Sequence, residues 1–187
     1  EYLPQYGRHQ ADNAALAIAA VESFIGGGTQ PIAGDILAQG LAEATSPGRL
    51  QLVGIAPTVI VDAAHNPHGA RALAAALGEF FDFDEWALVL GVLGDKDAEG
   101  IIDALAPVIT RVFTTQPESP RASDAETLAD LIELRGVVVS AHPASDDAMD
   151  TARRWAAEAD RRAVLIAGSV VLAGEAIAYA ESEGWKA

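Results

Sequence analysis

The sequence contains no cysteine, only two lysines and few aromatic residues, which make up 6% of its 187 residues. The absence of cysteine excludes disulfide bonds and thiolate metal sites, and it fits a reducing compartment such as the cytoplasm. No apolar run is long enough to suggest a membrane span. The net charge of −15 argues against a nucleic-acid partner, because no basic stripe is present to neutralise phosphates.

Several familiar site motifs are also missing. The sequence has neither the G-x-G-x-x-G fingerprint of dinucleotide-binding sheets nor the G-x-x-x-x-G-K-[ST] loop that cradles nucleotide phosphates. It has no G-x-S-x-G nucleophile elbow, and His65 and His68 lack a third nearby ligand for zinc. These absences argue against a nicotinamide, flavin, serine-hydrolase or zinc site.

The composition is that of a folded globular protein, since 50% of the residues are hydrophobic and 21% are charged. From Arg49 onward, apolar strand patterns alternate with helical patterns. The expected strands are Leu50–Ile55, Thr58–Val61, Ala87–Val92, Arg111–Thr114, Gly136–Ser140 and Ala163–Ala167. The first two lie close enough in sequence to form an antiparallel edge pair. The alternation therefore predicts an α/β fold: a Rossmann-like, doubly wound, mostly parallel six-stranded sheet with an antiparallel edge.

The expected helices follow the later strands. They are Pro67 to about Phe81, Ala98–Leu105, Asp124–Leu134, Asp146–Ala159 and Val170–Ser182. Asn66 is a suitable N-cap for the first of them, with Pro67 at its first position. Ser123 and Glu126 have the spacing of a capping box for the third.

Two further helices, at Arg8–Ile25 and about Ala33–Ala44, are predicted before the alternation begins. No strand separates them, and Ser46-Pro47-Gly48 reads as a joint after them. We therefore expect these two helices to be the end of another domain that precedes the sheet. The opening segment Glu1–Gly7 resembles the tail of something earlier, so the chain is expected to be a fragment.

Polar residues follow three of the predicted strands. Asp62 ends a buried strand and is followed by His65, while Lys96 and Ser169 lie in turns after two later strands. Because the carboxyl ends of parallel strands meet at one edge, and helix N-termini favour anions, we expect a ligand site there. Each residue also has a structural explanation: Asp62 as a turn cap, His65 and Lys96 as solvated loop residues, and Ser169 as an N-cap.

Five motifs occur in a characteristic order: G-R-H-Q-A-D-N-A-A-L-A at Gly7–Ala17, S-P-G-R-L at Ser46–Leu50, V-D-A-A-H-N-P at Val61–Pro67, L-G-D-K-D at Leu93–Asp97 and A-G-S at Ala167–Ser169. Together they resemble the C-terminal part of the bacterial folylpolyglutamate synthases, also called dihydrofolate synthases, of the Mur ligase superfamily. The resemblance implies that residues 1–46 are the helical remnant of a central ATPase domain. It implies that residues 47–187 form the glutamate-binding domain.

The resemblance implies an ATP-dependent ligase that uses magnesium. ATP phosphorylates a pterin-bearing carboxylate, dihydropteroate or tetrahydrofolate, to an acyl phosphate, and the amine of L-glutamate then displaces phosphate. The residues that match the family's positions are Asn13, Arg49 and Asp62 for ATP, and His65, Lys96 and Ser169 for glutamate or the transferred phosphoryl group. Of these, Asp62, His65 and Lys96 are expected to act in catalysis. The full-length enzyme is expected to be a cytoplasmic monomer.

The missing phosphate loop qualifies that assignment. The magnesium ligands are also expected upstream, so the isolated chain is predicted to turn over nothing. One alternative is a stand-alone Rossmann-like module that binds an amino acid or a nucleotide, although the motif in Arg8–Ile25 makes sense only beside an ATP site. Another is the C-terminal domain of a cell-wall Mur ligase, although D-A-A-H-N-P fits the folate branch better.

Overall fold

A computed structural model describes residues 3–4, 6–25 and 27–186. It divides the chain into two compact units, Glu1–Pro47 and Gly48–Ala187. Part of the expected tail Glu1–Gly7 lies outside the described residues. The origin of the first unit in an ATPase domain stays a prediction.

The first unit contains two helices, α1 at Arg8–Ile25 and α2 at Gly34–Ala42. Both predicted helices are confirmed, the second beginning one residue later than expected. The unit has little core of its own: Phe24 is 91% exposed and Leu16 is 70% exposed, and α2 has no buried residue. Among the described residues, no helix combines the length and apolar character needed to cross a bilayer.

The second unit is built on a six-stranded sheet, and this confirms the predicted fold class. Its strands are β1 (Gln51–Ile55), β2 (Thr58–Val61), β3 (Glu85–Leu90), β4 (Arg111–Thr115), β5 (Val138–His142) and β6 (Arg162–Ala167). They lie in the order β1-β2-β6-β3-β4-β5. The β1–β2 pair is antiparallel and every other pair is parallel.

Five helices cover the two faces of the sheet: α3 (Pro67–Phe80), α4 (Ala98–Leu105), α5 (Ala125–Glu133), α6 (Ser145–Ala157) and α7 (Val170–Ser182). The side chains of β6 alternate between two cores, as the two-residue period of a strand requires. Leu165 packs in the core that contains α3, α4 and α5. Val164 and Ile166 pack in the core that contains α6 and α7. The sheet is therefore buried on both faces, as expected for a doubly wound fold.

Two predicted strands were displaced by two residues and one predicted helix cap was wrong, whereas the ends of the other predicted elements lie within two residues of those in the structure. β3 covers Glu85–Leu90 rather than Ala87–Val92. β5 begins at Val138 rather than Gly136, because Gly136 has a φ of +72° and belongs to a turn. Asp124, not Ser123, caps α5 by accepting a hydrogen bond from the Thr127 N–H at 3.1 Å. The Ser123 N–H instead donates to the Val92 carbonyl oxygen, which holds this residue in the loop before the helix.

Candidate functional site

The candidate site lies at the carboxyl edge of the sheet, where β2, β6 and β3 are neighbours. Backbone hydrogen bonds join the turns that follow these strands: the Gly168 N–H donates to Ala64 at 3.0 Å, and the Gly91 N–H donates to Ala167 at 3.3 Å. β2 leads into α3 on one face of the sheet, whereas β6 leads into α7 on the other. A ligand crevice is expected where the connections that follow two neighbouring strands run to opposite faces of the sheet.

Asp62 ends β2 and is almost fully buried, with 7% of its surface exposed. Its Oδ1 accepts a hydrogen bond from the Ala64 N–H at 2.8 Å, and its Oδ2 accepts one from the Leu50 N–H at 2.9 Å. The carboxylate therefore joins the turn after β2 to the residue just before β1. The turn-cap explanation of Asp62 is confirmed, and its contact with ATP stays a prediction.

Arg49 lies beside this carboxylate in an unusual backbone segment. Gly48 and Leu50 on either side of it have φ values of +69° and +45°. The Gly48 carbonyl oxygen accepts from the Ala63 N–H at 2.7 Å, so the segment is tied to the turn after β2. The side chain of Arg49 is exposed and is available to an anionic ligand.

His65 is half-buried in the turn after β2. Its Nδ1 lies 2.9 Å from the Ala63 carbonyl oxygen. Because a carbonyl oxygen only accepts, Nδ1 must carry the hydrogen, which orients the ring and leaves Nε2 for another partner. The next residue confirms the predicted N-cap, since Asn66 Oδ1 accepts from the Gly69 N–H at 2.8 Å.

Lys96 lies in the loop between β3 and α4, with its Nζ 3.0 Å from Asp95 Oδ2. The hydrogen bond from Lys96 is the main reason that the pKa of Asp95 lies below its ordinary value, and partial desolvation opposes it. Arg121 approaches the other oxygen of Asp95 at 3.5 Å. Arg121 was not among the predicted site residues, although a basic residue soon after a parallel strand was a usable signal. Two cations, one from the loop after β3 and one from the loop after β4, therefore lie around the Asp95 carboxylate.

Ser169 is the N-cap of α7 and is 1% exposed. Its Oγ accepts from the Leu172 N–H at 3.0 Å. The capping explanation is confirmed. The hydroxyl hydrogen takes no part in this hydrogen bond, so the predicted contact with glutamate remains open to test.

Asn13 lies on α1 in the first unit and is exposed. Its Nδ2 donates to Gln10 Oε1 at 3.2 Å. It borders a cavity of about 490 Å³ between α1 and α2, whose other walls are mostly aliphatic. The five remaining predicted site residues, Arg49, Asp62, His65, Lys96 and Ser169, all lie in turns at the carboxyl edge of the sheet in the second unit.

The edge carries donors for anions rather than a cage for a metal. Within residues 3–4, 6–25 and 27–186, no three His, Asp or Glu side chains come together in a way that could hold an ion. The basic residues Arg49 and Lys96 and the N-termini of α3, α4 and α7 favour negatively charged groups. This arrangement suits phosphates and carboxylates.

Comparison with known proteins extends this interpretation. Residues 48–170 match the family described as Mur ligase, glutamate ligase domain. A dihydrofolate synthase/folylpolyglutamate synthase of Mycobacterium tuberculosis is 46% identical over 94% of the chain. A protein of the same name from Escherichia coli is 33% identical over 84% of the chain.

Solved structures give the same result. The folylpolyglutamate synthase of Mycobacterium tuberculosis complexed with ADP and AMPPCP superposes with a TM-score of 0.90 over 96% of the chain, at 46% identity. Escherichia coli FolC in complex with DHPP and ADP superposes with a TM-score of 0.78 over 92% of the chain, at 28% identity. The chain spans 39% of the first curated relative and 41% of the first of these structures.

Proposed function

Because this chain belongs to the Mur ligase family through its glutamate ligase domain, we propose that it forms the glutamate-binding part of an ATP-dependent folate ligase. The reaction adds L-glutamate to tetrahydrofolate, to dihydropteroate or to both. The observation that carries the proposal is the 46% identity to a dihydrofolate synthase/folylpolyglutamate synthase over nearly the whole chain, including α1 and α2. Such an extent is hard to reconcile with an unrelated binding module.

The proposed reaction has two steps. The substrate carboxylate first attacks the γ-phosphorus of ATP, giving an acyl phosphate and ADP. The amine of glutamate, after losing a proton from its ammonium form, then attacks the acyl carbon, and inorganic phosphate leaves as the amide forms. Both steps develop negative charge on phosphate oxygens, which fixed cations and helix N-termini stabilise.

Arg49, Asp62 and Asn13 are proposed to serve the nucleotide. The planar guanidinium of Arg49 can bind two phosphate oxygens through a parallel pair of N–H donors, a fixed geometry that a lysine ammonium does not have. Asp62 accepts a hydrogen bond from the N–H of Leu50, the residue that follows Arg49. Asn13, on α1, is proposed to lie near the adenine.

Lys96, Ser169 and His65 are proposed to serve glutamate. Lys96 would exchange its contact with Asp95 for a substrate carboxylate, and the N-terminus of α7 at Ser169 would hold the same group. His65 would take the ammonium proton at Nε2, because Nδ1 is already engaged with the Ala63 carbonyl oxygen. These roles place charge recognition and proton transfer on adjacent turns of one edge.

Mg²⁺ is proposed as the ion that accompanies ATP, and a related structure from Yersinia pestis contains AMPPNP and Mn. The described residues offer no group of three ligands for it, so this chain is not proposed to hold the ion by itself. We also propose that the full-length protein is a monomer and that it is cytoplasmic. The cysteine-free sequence supports the second of these two proposals.

The test compares two proteins: the polypeptide encoded by the complete reading frame that contains these residues, and the 187-residue chain alone. The complete product should release ADP only when both glutamate and a folate substrate are present. The 187-residue chain should release none, because it has no phosphate loop. Parallel assays with UDP-linked peptide substrates test the cell-wall alternative. ADP release with those peptides, or its absence with folates, would contradict the proposal.

A further inference from the structure

The Arg49 segment has a backbone that its sequence alone would not favour. Leu50 adopts a φ of +45°, a left-handed conformation that non-glycine residues rarely take because Cβ crowds the backbone. Such a residue persists only where its surroundings hold it. Leu50 is held by burial of its side chain, which is 4% exposed in the core beneath α3, and by its N–H.

That N–H donates to Asp62 Oδ2 at 2.9 Å. On the other side of Arg49, the Gly48 N–H donates to Gln51 Oε1 at 2.9 Å and the Gly48 carbonyl oxygen accepts from the Ala63 N–H at 2.7 Å. The backbone is therefore hydrogen-bonded immediately before and after Arg49, while the Arg49 side chain itself is exposed. The exposed guanidinium of Arg49 is therefore carried by a main chain that hydrogen bonds hold on both sides.

We infer that Asp62 is a positioning residue for Arg49, which it serves by accepting the Leu50 N–H and so holding the left-handed turn that presents the guanidinium. The expected effect on catalysis rests on the proposed function, whereas the effect of Asp62 on the backbone at Leu50 does not. Buried at the end of β2, the Asp62 carboxylate can accept from Leu50 and Ala64 together because it has two oxygens. An asparagine at this position keeps one acceptor oxygen and presents an NH₂ group to the other N–H.

The kinetic test uses the complete reading-frame product with Arg49→Ala, Asp62→Asn and the double variant. Arg49→Ala should lower kcat/KM for ATP by roughly 100-fold, the scale for loss of one charge-stabilising donor. Asp62→Asn should lower it by about 10-fold. The double variant should be no worse than Arg49→Ala alone, because Asp62 then has no guanidinium to position.

A second nucleotide separates this role from a direct ribose contact. With 2′,3′-dideoxy-ATP, the Asp62→Asn penalty should be as large as with ATP, because the positioning role does not involve ribose hydroxyls. A penalty that disappears with the dideoxy nucleotide, or single effects that multiply in the double variant, would overturn the inference.

A third variant tests the backbone on the other side of Arg49. Gln51→Ala releases the Gly48 N–H and should lower kcat/KM for ATP by about threefold. If Gln51→Ala leaves kcat/KM for ATP unchanged, that result also counts against the inference.

A structural measurement on the 187-residue chain is independent of activity. Asp62→Asn should speed amide hydrogen exchange at Leu50 by at least about tenfold. The control Asp124→Asn replaces another carboxylate that accepts a backbone N–H, at the start of α5, and should leave Leu50 unchanged. If Leu50 exchange does not respond to Asp62→Asn, the positioning role is wrong. If it responds but the complete product has no ligase activity, the proposed function alone fails.

Discussion

The Gly168 N–H donates a hydrogen bond of 3.0 Å to the carbonyl oxygen of Ala64. This contact joins the turn after β6 to the turn after β2, which are far apart in the sequence. Gly168 has a φ of +111°, and a Cβ added to it would lie 2.7 Å from the Gly91 carbonyl oxygen in the turn after β3. One glycine therefore allows three turns of the candidate site to approach each other.

Gly168→Ala should destabilise the chain by roughly 3 kcal/mol, because it combines backbone strain with a clash against main-chain oxygen. Urea denaturation followed by circular dichroism measures this change. The matched control is Gly174→Ala in α7, an exposed glycine where an added Cβ would meet no atom within 4 Å apart from its chain neighbours and the backbone of its own helix. This change should stabilise the chain by about 0.5–1 kcal/mol. Equal effects at the two positions would contradict the close approach described here.

Ser169→Ala should lower the free energy of unfolding by about 1 kcal/mol, because the Leu172 N–H loses its capping acceptor. In the complete reading-frame product, the same change should raise the KM for glutamate more than that for ATP. Asn66→Ala is the comparison, since it removes a similar cap from α3. A loss of stability with no preference for the glutamate KM would leave Ser169 as a structural cap only.

Lys96→Ala should raise the pKa of Asp95 toward its ordinary value, because the hydrogen bond from Lys96 is the largest cause of its lowering. Carboxyl ¹³C NMR titration of the 187-residue chain follows this directly. A carboxyl group with a lowered pKa stabilises the folded state above its ordinary pKa, and this stabilisation is lost as the pH falls through the folded-state value. The low-pH limb of the stability profile should therefore be slightly flatter in the variant.

The same Lys96→Ala change should raise the KM for glutamate more than that for ATP in the complete product. The control is Lys186→Ala, which removes the other lysine of the chain from an exposed position near the C-terminus. If the glutamate KM is unchanged in Lys96→Ala, the assignment of Lys96 to glutamate is wrong. If both lysine variants shift it equally, net charge rather than a specific contact is responsible.

Residues 48–187 should fold without the first unit. Both hydrophobic cores of the second unit consist of residues from Leu50 onward, so removal of residues 1–47 takes away none of the core side chains that the structure describes. The truncated protein should show one cooperative thermal transition within about 5 °C of the 187-residue chain. A molten, dye-binding truncated protein would show that the division at Pro47 does not separate independent folding units.

Local patterns were enough to predict most of the secondary structure. Asn66 and Pro67 predicted the start of α3, because capping and a preset proline φ act within a few residues. The predicted cap at Ser123 was wrong for a non-local reason. The Ser123 N–H donates to the carbonyl oxygen of Val92, which lies in the loop between β3 and α4. The sequence also contained no sign that Leu50 would adopt a positive φ, because that conformation depends on Asp62 and on burial.

The fold class, the family resemblance and all the candidate residues except Arg121 could be predicted from the amino-acid sequence, because hydrophobic periodicity, caps and short motifs are encoded in neighbouring residues. The strand order was not predictable in this way: β6 lies between β2 and β3, which makes the turns carrying Asp62, Ser169 and Lys96 neighbours along the edge. The hydrogen bonds that hold the backbone around Arg49 were not predictable either. Strand order and backbone strain depend on contacts between segments distant in the chain, and such contacts exist only after the sheet has assembled.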